Sequence, residues 1–175
     1  MAVALRRVMS ETRSTEKEGL FQLEASCELG AAPEVVFALL SDHASLPSWV
    51  PGLRRVEVDC SNAVSPGGVG TRRTLHALAG PPGTEIITDL VAPQRLAYSA
   101  TDSSLRGLLT QHRAELCCEP SEGGTRLRWS VSGVPSQTWW KRVGARLIFG
   151  GAQRAGLRNL RRRFPPRRST PIGEG

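Results

Sequence analysis

The sequence predicts an α+β domain in which a curved antiparallel sheet of seven strands wraps around one long C-terminal helix. Two observations indicate this class: apolar and polar residues alternate in a series of short runs, and a helical pattern fills about residues 135–164. The length of 175 residues suits one domain with one core. This order of elements suggests a curved sheet that grips the helix, with a cavity between the two.

The first strand and two short helices follow a polar segment, residues 1–18, which we predict to be a disordered lead-in. From Leu20 to Cys27 apolar and polar residues alternate, as is typical of a half-buried strand. Pro33 and Glu34 then mark a helix start, because proline is tolerated in the first turn and an acid there complements the helix dipole. A second short helix ends in the segment LPSWVPG, which two prolines interrupt.

Six further strand-like runs complete the predicted sheet. Turns rich in glycine and proline separate them, and the last two runs form a long hairpin across residues 121–124. The six runs are Arg54–Cys60, Val69–Leu78, Glu85–Val91, Gln94–Thr101, Leu108–Glu119 and Thr125–Val134.

The final helix begins after Pro135 and ends before Pro165. Its apolar face, which we expect to line the cavity, includes Trp140, Val143 and Leu147. Residues 165–175 are predicted to be a disordered tail that is basic and rich in proline, so the domain spans residues 19–164.

Charge is distributed unevenly along the chain. The net charge is +7, but residues 123–173 contain twelve Lys or Arg and no acid. Three explanations stay open: an anionic membrane surface, nucleic acid, or a solvated basic face with no partner. Nucleic acid is disfavoured because no nucleic-acid-binding motif accompanies the charge.

Several classes of protein are excluded by what the sequence lacks. No apolar stretch approaches the roughly 20 residues that span a bilayer, and no apolar region of signal-peptide length follows the N-terminal charges, so we expect a cytoplasmic protein. The four cysteines have no metal-ligand spacing and are interpreted as reduced core residues. Phosphate loops, dinucleotide fingerprints and nucleophilic serine motifs are missing, so we expect no metal and no cofactor.

Strand alternation predicts which side chains line the cavity, because every second residue of a strand faces the same way. The apolar face of the last strand carries Leu127 and Trp129, and that of the strand before it carries His112 and Ala114. An inward His112 would suit general acid or base catalysis of a cyclisation or dehydration. The alternative is an imidazole satisfied by a neighbouring strand, and Trp129 is likewise either cavity wall or plain core.

Two further aromatic residues are candidates for the cavity. Tyr98 shares a face with Leu96 and could donate its hydroxyl to a ligand carbonyl, unless the phenol finds a backbone partner instead. Trp49 lies in the proline-flanked segment near the expected cavity mouth, either as a gate or as an anchor that fixes a loop to the sheet.

One of two adjacent arginines, Arg72 and Arg73, must face inward, where a guanidinium would suit an enolate or a carboxylate. Alternation alone does not decide between them. His76 shares the parity of Arg72, so we predict Arg72 and His76 as an inward polar pair, with Leu75 as a further ligand contact.

Taken together, the segments APEVVFALLSD, LPSWVPG, GVGTRR, APQRLAYS and GGTRLRWSV and the long final helix resemble one family. This is the polyketide cyclase/dehydrase and lipid-transport group of the START-like (SRPBCC), or helix-grip, superfamily, over about residues 20–164. The resemblance implies a deep cavity that different members use for lipids, sterols, aromatic polyketides or plant hormones. It supplies no catalytic residue shared by the whole family.

Three hypotheses of function follow. The first is a monomeric or homodimeric protein that binds a small hydrophobic ligand, lipid or polyketide-like, in the cavity. The second is a polyketide cyclase or dehydrase in which His112, Tyr98 and an inward arginine transfer protons and stabilise an oxyanion. The third is an interaction protein, structural or toxin-like, whose interior is filled and which takes no ligand.

Overall fold

The computed structural model describes residues 12–14, 20–101 and 107–166. Its strands are β1 Thr12–Ser14, β2 Phe21–Leu29, β3 Leu53–Asp59, β4 Arg72–Ala77, β5 Gly83–Val91, β6 Arg95–Ala100, β7 Leu109–Ser121 and β8 Gly124–Pro135. Its helices are α1 Pro33–Ser41, a 3₁₀ helix His43–Ser48, and α2 Trp139–Arg163.

All the strands belong to one antiparallel sheet, in the order β1-β2-β8-β7-β6-β5-β4-β3. The predicted fold class is confirmed: β2 to β8 are the seven expected strands, two short helices follow the first of them, and a long helix ends the domain. Strand β1 extends the sheet by pairing with β2, at residues where the sequence predicts a disordered lead-in. The rest of that lead-in, and residues 167–175 of the predicted tail, lie outside the described residues.

Helix α2 packs across β2 and β8 and closes the concave side of the sheet. Its buried residues are Ala145, Gly150, Gln153, Gly156, Leu157 and Leu160. Close approach depends on Gly156, where a Cβ atom would lie 3.1 Å from the ring of Trp129. Near the end of the helix, the Asn159 side-chain amide donates to the Trp49 carbonyl oxygen at 3.1 Å, so α2 also holds the segment after the 3₁₀ helix.

Strand β7 contains a bulge that sets which side chains face the helix. Between Thr110 and Arg113, two residues of β7 oppose a single residue of β8. Gln111 occupies the left-handed region with φ of 51°. As a result Leu109 and His112 are both buried although they are three residues apart, whereas strict alternation from His112 would have buried Thr110, which is exposed.

Candidate functional site

A cavity of about 170 Å³ lies between the sheet and α2. Most of its wall is apolar, including Leu46, Trp49, Val50, Leu53, Leu75, Leu116, Trp129, Val131, Ile148, Phe149 and Ala152. The rest of the lining consists of five polar side chains: Arg73, Glu85, Tyr98, His112 and Gln153. A mostly apolar wall with a few convergent polar groups is the usual composition of a small-molecule site.

A buried ion pair forms the charged part of the wall. Arg73 and Glu85 are directly opposite each other on β4 and β5, and Arg73 Nε donates to Glu85 Oε2 at 2.6 Å. Only 2% of the Arg73 side chain and 13% of the Glu85 side chain are exposed. The guanidinium carbon lies 4.3 Å from the centroid of the Tyr98 ring, which gives the cation a second favourable contact.

The structure reverses the sequence-based choice between the two arginines. Arg72 is exposed, and His76, on the same face of β4, lies 3.3 Å from the carboxylate of Glu57 outside the cavity. Arg73 and Leu75 face inward instead. An inward guanidinium needs a counter-charge, and Glu85 of the next strand supplies it, which the alternation within β4 alone could not indicate.

Tyr98 and His112 lie on neighbouring strands with ring centroids 6.1 Å apart. The Ala100 backbone N–H donates to His112 Nδ1 at 3.1 Å, so the neutral ring carries its proton on Nε2. Burial lowers the pKa of His112 and raises the pKa of Tyr98 above its ordinary value. At neutral pH both groups are therefore uncharged hydrogen-bond donors.

Two further polar atoms at the cavity, Trp49 Nε1 and Gln153 Oε1, are buried and have no hydrogen-bond partner among the described residues. Trp129 Nε1 is also buried, and its N–H interacts with the Tyr98 hydroxyl, which opposes the rise in the pKa of that phenol. The two indole rings meet edge to face at 5.8 Å. Gln153 Nε2 donates to the Trp129 carbonyl oxygen at 3.0 Å, and because a carbonyl can only accept, the amide oxygen must be the free atom. Trp49 Nε1 and Gln153 Oε1 thus offer a ligand one donor and one acceptor.

The structure places the predicted ligand contacts of the last helix outside the cavity. Trp140, Val143 and Leu147 do not line the cavity and are 57%, 49% and 66% exposed. The first half of α2 has apolar residues on two opposite sides, so periodicity could not tell the buried side from the outer one. The helix contributes Ile148, Phe149, Ala152 and Gln153 to the wall instead.

The remaining predicted site residues divide between the cavity and the core. Trp49, Tyr98, His112 and Trp129 line the cavity, whereas Leu96, Ala114 and Leu127 are buried but do not line it. Sequence reasoning missed Gln153 and Glu85. The available signal for Gln153 is its spacing, four residues after Phe149 and four before Leu157 on the buried side of α2.

Two further features of the described residues bear on function. They contain no cluster of three or more His, Cys, Asp or Glu that could hold a metal ion. None of their helices is long and apolar enough to cross a membrane.

Of the cysteines expected in the core, Cys27 and Cys118 are buried and Cys60 is exposed.

Residues 21–165 match the family described as polyketide cyclase / dehydrase and lipid transport. The sequence matches no curated protein. Similar solved structures include a protein from Thermobifida fusca, which is 23% identical with a TM-score of 0.67; the match covers 81% of this chain and 91% of that chain. The XoxI protein from Bacillus cereus is 20% identical with a TM-score of 0.64, and the match covers 82% of this chain and 94% of that chain. A third is the di-domain ARO/CYC BexL from the BE-7585A biosynthetic pathway, which is 16% identical with a TM-score of 0.70; the match covers 87% of this chain and 52% of that chain. At under 25% identity, these likenesses show the fold.

Proposed function

Because this chain belongs to the polyketide cyclase/dehydrase and lipid-transport family, we propose that it binds a small hydrophobic molecule, polyketide-like or lipid-like, in the cavity between the sheet and α2. The observation that carries the proposal is the pair of buried cavity atoms, Trp49 Nε1 and Gln153 Oε1, that have no hydrogen-bond partner among the described residues. A buried polar group without a partner costs about 1–3 kcal/mol. A ligand that supplies one acceptor and one donor removes much of that cost.

The cavity volume limits the part of the ligand that is enclosed. A volume of about 170 Å³ is close to the roughly 150 Å³ of an apolar cavity that takes up benzene. The enclosed part is therefore one substituted ring or the end of a chain. A larger ligand would extend outward past Ile148, which lines the cavity and is also 57% exposed.

Native mass spectrometry of the purified protein, with extraction of anything that co-purifies, is the first test. A thermal-shift series then compares two single-ring compounds with the same number of non-hydrogen atoms: 3′-hydroxyacetophenone, a hydroxyketone with a donor and an acceptor, and m-cymene, a hydrocarbon with neither. We expect the hydroxyketone to raise the melting temperature more than the hydrocarbon does. No co-purifying molecule and no shift with either compound, or with a short-chain fatty acid, would contradict the proposal.

A matched pair of variants locates the binding. Ala152→Leu places three extra carbons in the cavity wall and should remove the ligand-induced shift. Ala38→Leu makes the same change at an exposed position of α1 and should leave the shift intact. An equal response of both variants would mean that the compounds bind elsewhere.

A second candidate, a cyclase or dehydrase, is favoured by one specific observation. Tyr98, His112 and Arg73 line the same cavity. As neutral donors, Tyr98 and His112 Nε2–H would stabilise an enolate oxygen, and Glu85, the carboxylate that the described residues contribute to the lining, would be the base. Arg72, the arginine predicted from the sequence, is outside this arrangement.

The enzyme hypothesis is tested by following cyclisation of a short poly-β-keto thioester. Tyr98→Phe should slow product formation by about a hundredfold or more if the phenol is a catalytic donor, while binding of the hydroxyketone falls far less. Equal loss of binding and of turnover would indicate a ligand contact only.

A cytoplasmic location and a monomeric or homodimeric state remain predictions from the sequence.

A further inference from the structure

The first half of α2 exposes a band of large apolar side chains to solvent. We call this band the outer stripe: Trp139, Trp140, Val143, Leu147 and Ile148, which are 74%, 57%, 49%, 66% and 57% exposed. Trp140, Val143 and Leu147 follow the three- and four-residue spacing that puts side chains on one side of a helix. All three are exposed, so packing among the described residues does not account for them.

Positive charge surrounds the outer stripe. Helix α2 contains eight Lys or Arg and no acidic residue. Seven and eleven residues after Leu147, on the same outward line, come the exposed Arg154 and Arg158. The outward side of α2 is therefore apolar over its first turns and cationic over its later ones.

We propose that the outer stripe docks on an anionic lipid bilayer. A helix with apolar and aromatic side chains on one line and arginines around them can lie in the interface, its apolar groups among the acyl chains and its cations at the phosphates. Tryptophan suits this position because its ring is apolar and its N–H is polar.

Charge distinguishes the bilayer from the other candidate occupants. A second copy of the chain on the same stripe would bring two acid-free helices face to face, where their charges repel. Nucleic acid would attract the arginines but would leave the aliphatic Val143 and Leu147 without a role. The bilayer alone uses both the apolar and the cationic part.

The outer stripe also borders the cavity. Ile148 belongs to both, since it is exposed on the stripe and lines the cavity wall. If the ligand is lipid-like, as the proposed function includes, docking would place the cavity opening against the bilayer that holds it. Docking itself does not depend on the ligand, so it is tested with vesicles alone.

The experiment is co-sedimentation of the full chain with vesicles of phosphatidylcholine alone and of phosphatidylcholine with phosphatidylglycerol. Val143→Glu/Leu147→Glu removes two apolar residues of the stripe. Val64→Glu/Leu78→Glu makes a matched change at positions that are 87% and 74% exposed and lie outside α2. We expect wild type and the matched variant to bind the anionic vesicles, and the stripe variant to bind at least tenfold more weakly.

Several results would overturn the proposal. They are absence of binding to anionic vesicles, equal loss in the two double variants, or a two-copy mass in sedimentation that only the stripe variant abolishes. Binding of a short oligonucleotide that depends on Val143 and Leu147 would favour nucleic acid instead. Ala152→Leu should keep vesicle binding and lose the ligand shift, so failure of docking and failure of the cavity proposal are separate outcomes.

Discussion

Arg73 is the residue that most changes the character of the cavity, because it brings a charge into an apolar wall. Its neighbour Arg72 is identical in chemistry but faces solvent. The sequence could show that one of the two arginines is buried. It could not show which one, since the deciding partner, Glu85, comes from another strand.

The two arginines give a matched test of that assignment. Arg73→Met should lower the free energy of unfolding by about 3–5 kcal/mol, because it leaves the Glu85 carboxylate buried and unpaired. Arg72→Met should change it by less than about 0.5 kcal/mol, as exposed substitutions usually do. Urea denaturation measures both, and Arg73→Met/Glu85→Gln should recover part of the loss. A larger effect at Arg72 than at Arg73 would contradict the assignment.

Stability should also depend on pH through His43 and His112. Burial lowers the pKa of both below the ordinary value of 6.5, although Glu85 opposes this at each, so the unfolded chain binds the proton more readily. Their neutral forms stabilise the fold fully above about pH 6.5, and that contribution is lost as the pH falls through the lower folded-state pKa values.

The expected result is a free energy of unfolding that declines as the pH falls below about 6.5. In His112→Gln, whose side-chain oxygen can still accept from the Ala100 N–H, the decline should be shallower. An identical slope in the variant and the wild type would show that His112 is not responsible.

At the scale of elements, the order of strands and helices could be predicted because each carries its own period and its own turn residues. Two details could not. In α2, apolar residues lie on both sides of the helix, so the sequence does not show which side is buried. Only the contact with β2 and β8 identifies the buried side. In β7, the bulge beside Gln111 interrupts alternation, and nothing in the local sequence marks it.

Two glycines of α2 test how closely this helix approaches the sheet. At Gly151 no atom lies within 4 Å of an added Cβ, so Gly151→Ala should stabilise the protein by about 1 kcal/mol through helix propensity. At Gly156 the added methyl group meets the Trp129 ring at 3.1 Å, which should cancel that gain.

Gly156→Leu should destabilise by about 1–3 kcal/mol and weaken ligand binding, since it pushes Trp129 toward the cavity. Thermal denaturation of the three variants checks the order of stabilities. If Gly156→Ala were as stabilising as Gly151→Ala, the approach of the helix would be looser than described.

At the scale of the whole molecule, the cavity lowers the free energy of unfolding, because the side chains that line it lack packing partners on one side. The order of elements predicted a space between sheet and helix, and the family resemblance implied a deep one. The sequence could not give the volume, which depends on how the bulged β7, the 3₁₀ helix and α2 meet.

Filling the cavity should therefore stabilise the protein while it removes ligand binding. Ala152→Leu is expected to raise the free energy of unfolding by about 0.5–2 kcal/mol, as cavity-filling changes commonly do. Ala38→Leu, on the surface of α1, should leave stability nearly unchanged. Loss of stability in Ala152→Leu, measured by urea denaturation, would mean that the space cannot accept a side chain.

Strict alternation after the bulge in β7 makes the inner wall sensitive to the length of this strand. Removing one residue after His112 would exchange the inward set Ala114, Leu116 and Cys118 for outward neighbours such as Glu115 and Cys117. Removing Gln111 would not, because Leu109 and His112 would then be two positions apart and share a face. We therefore expect deletion of Gln111 to preserve the inward set, whereas between residues 112 and 118 the wall can change only by substitution.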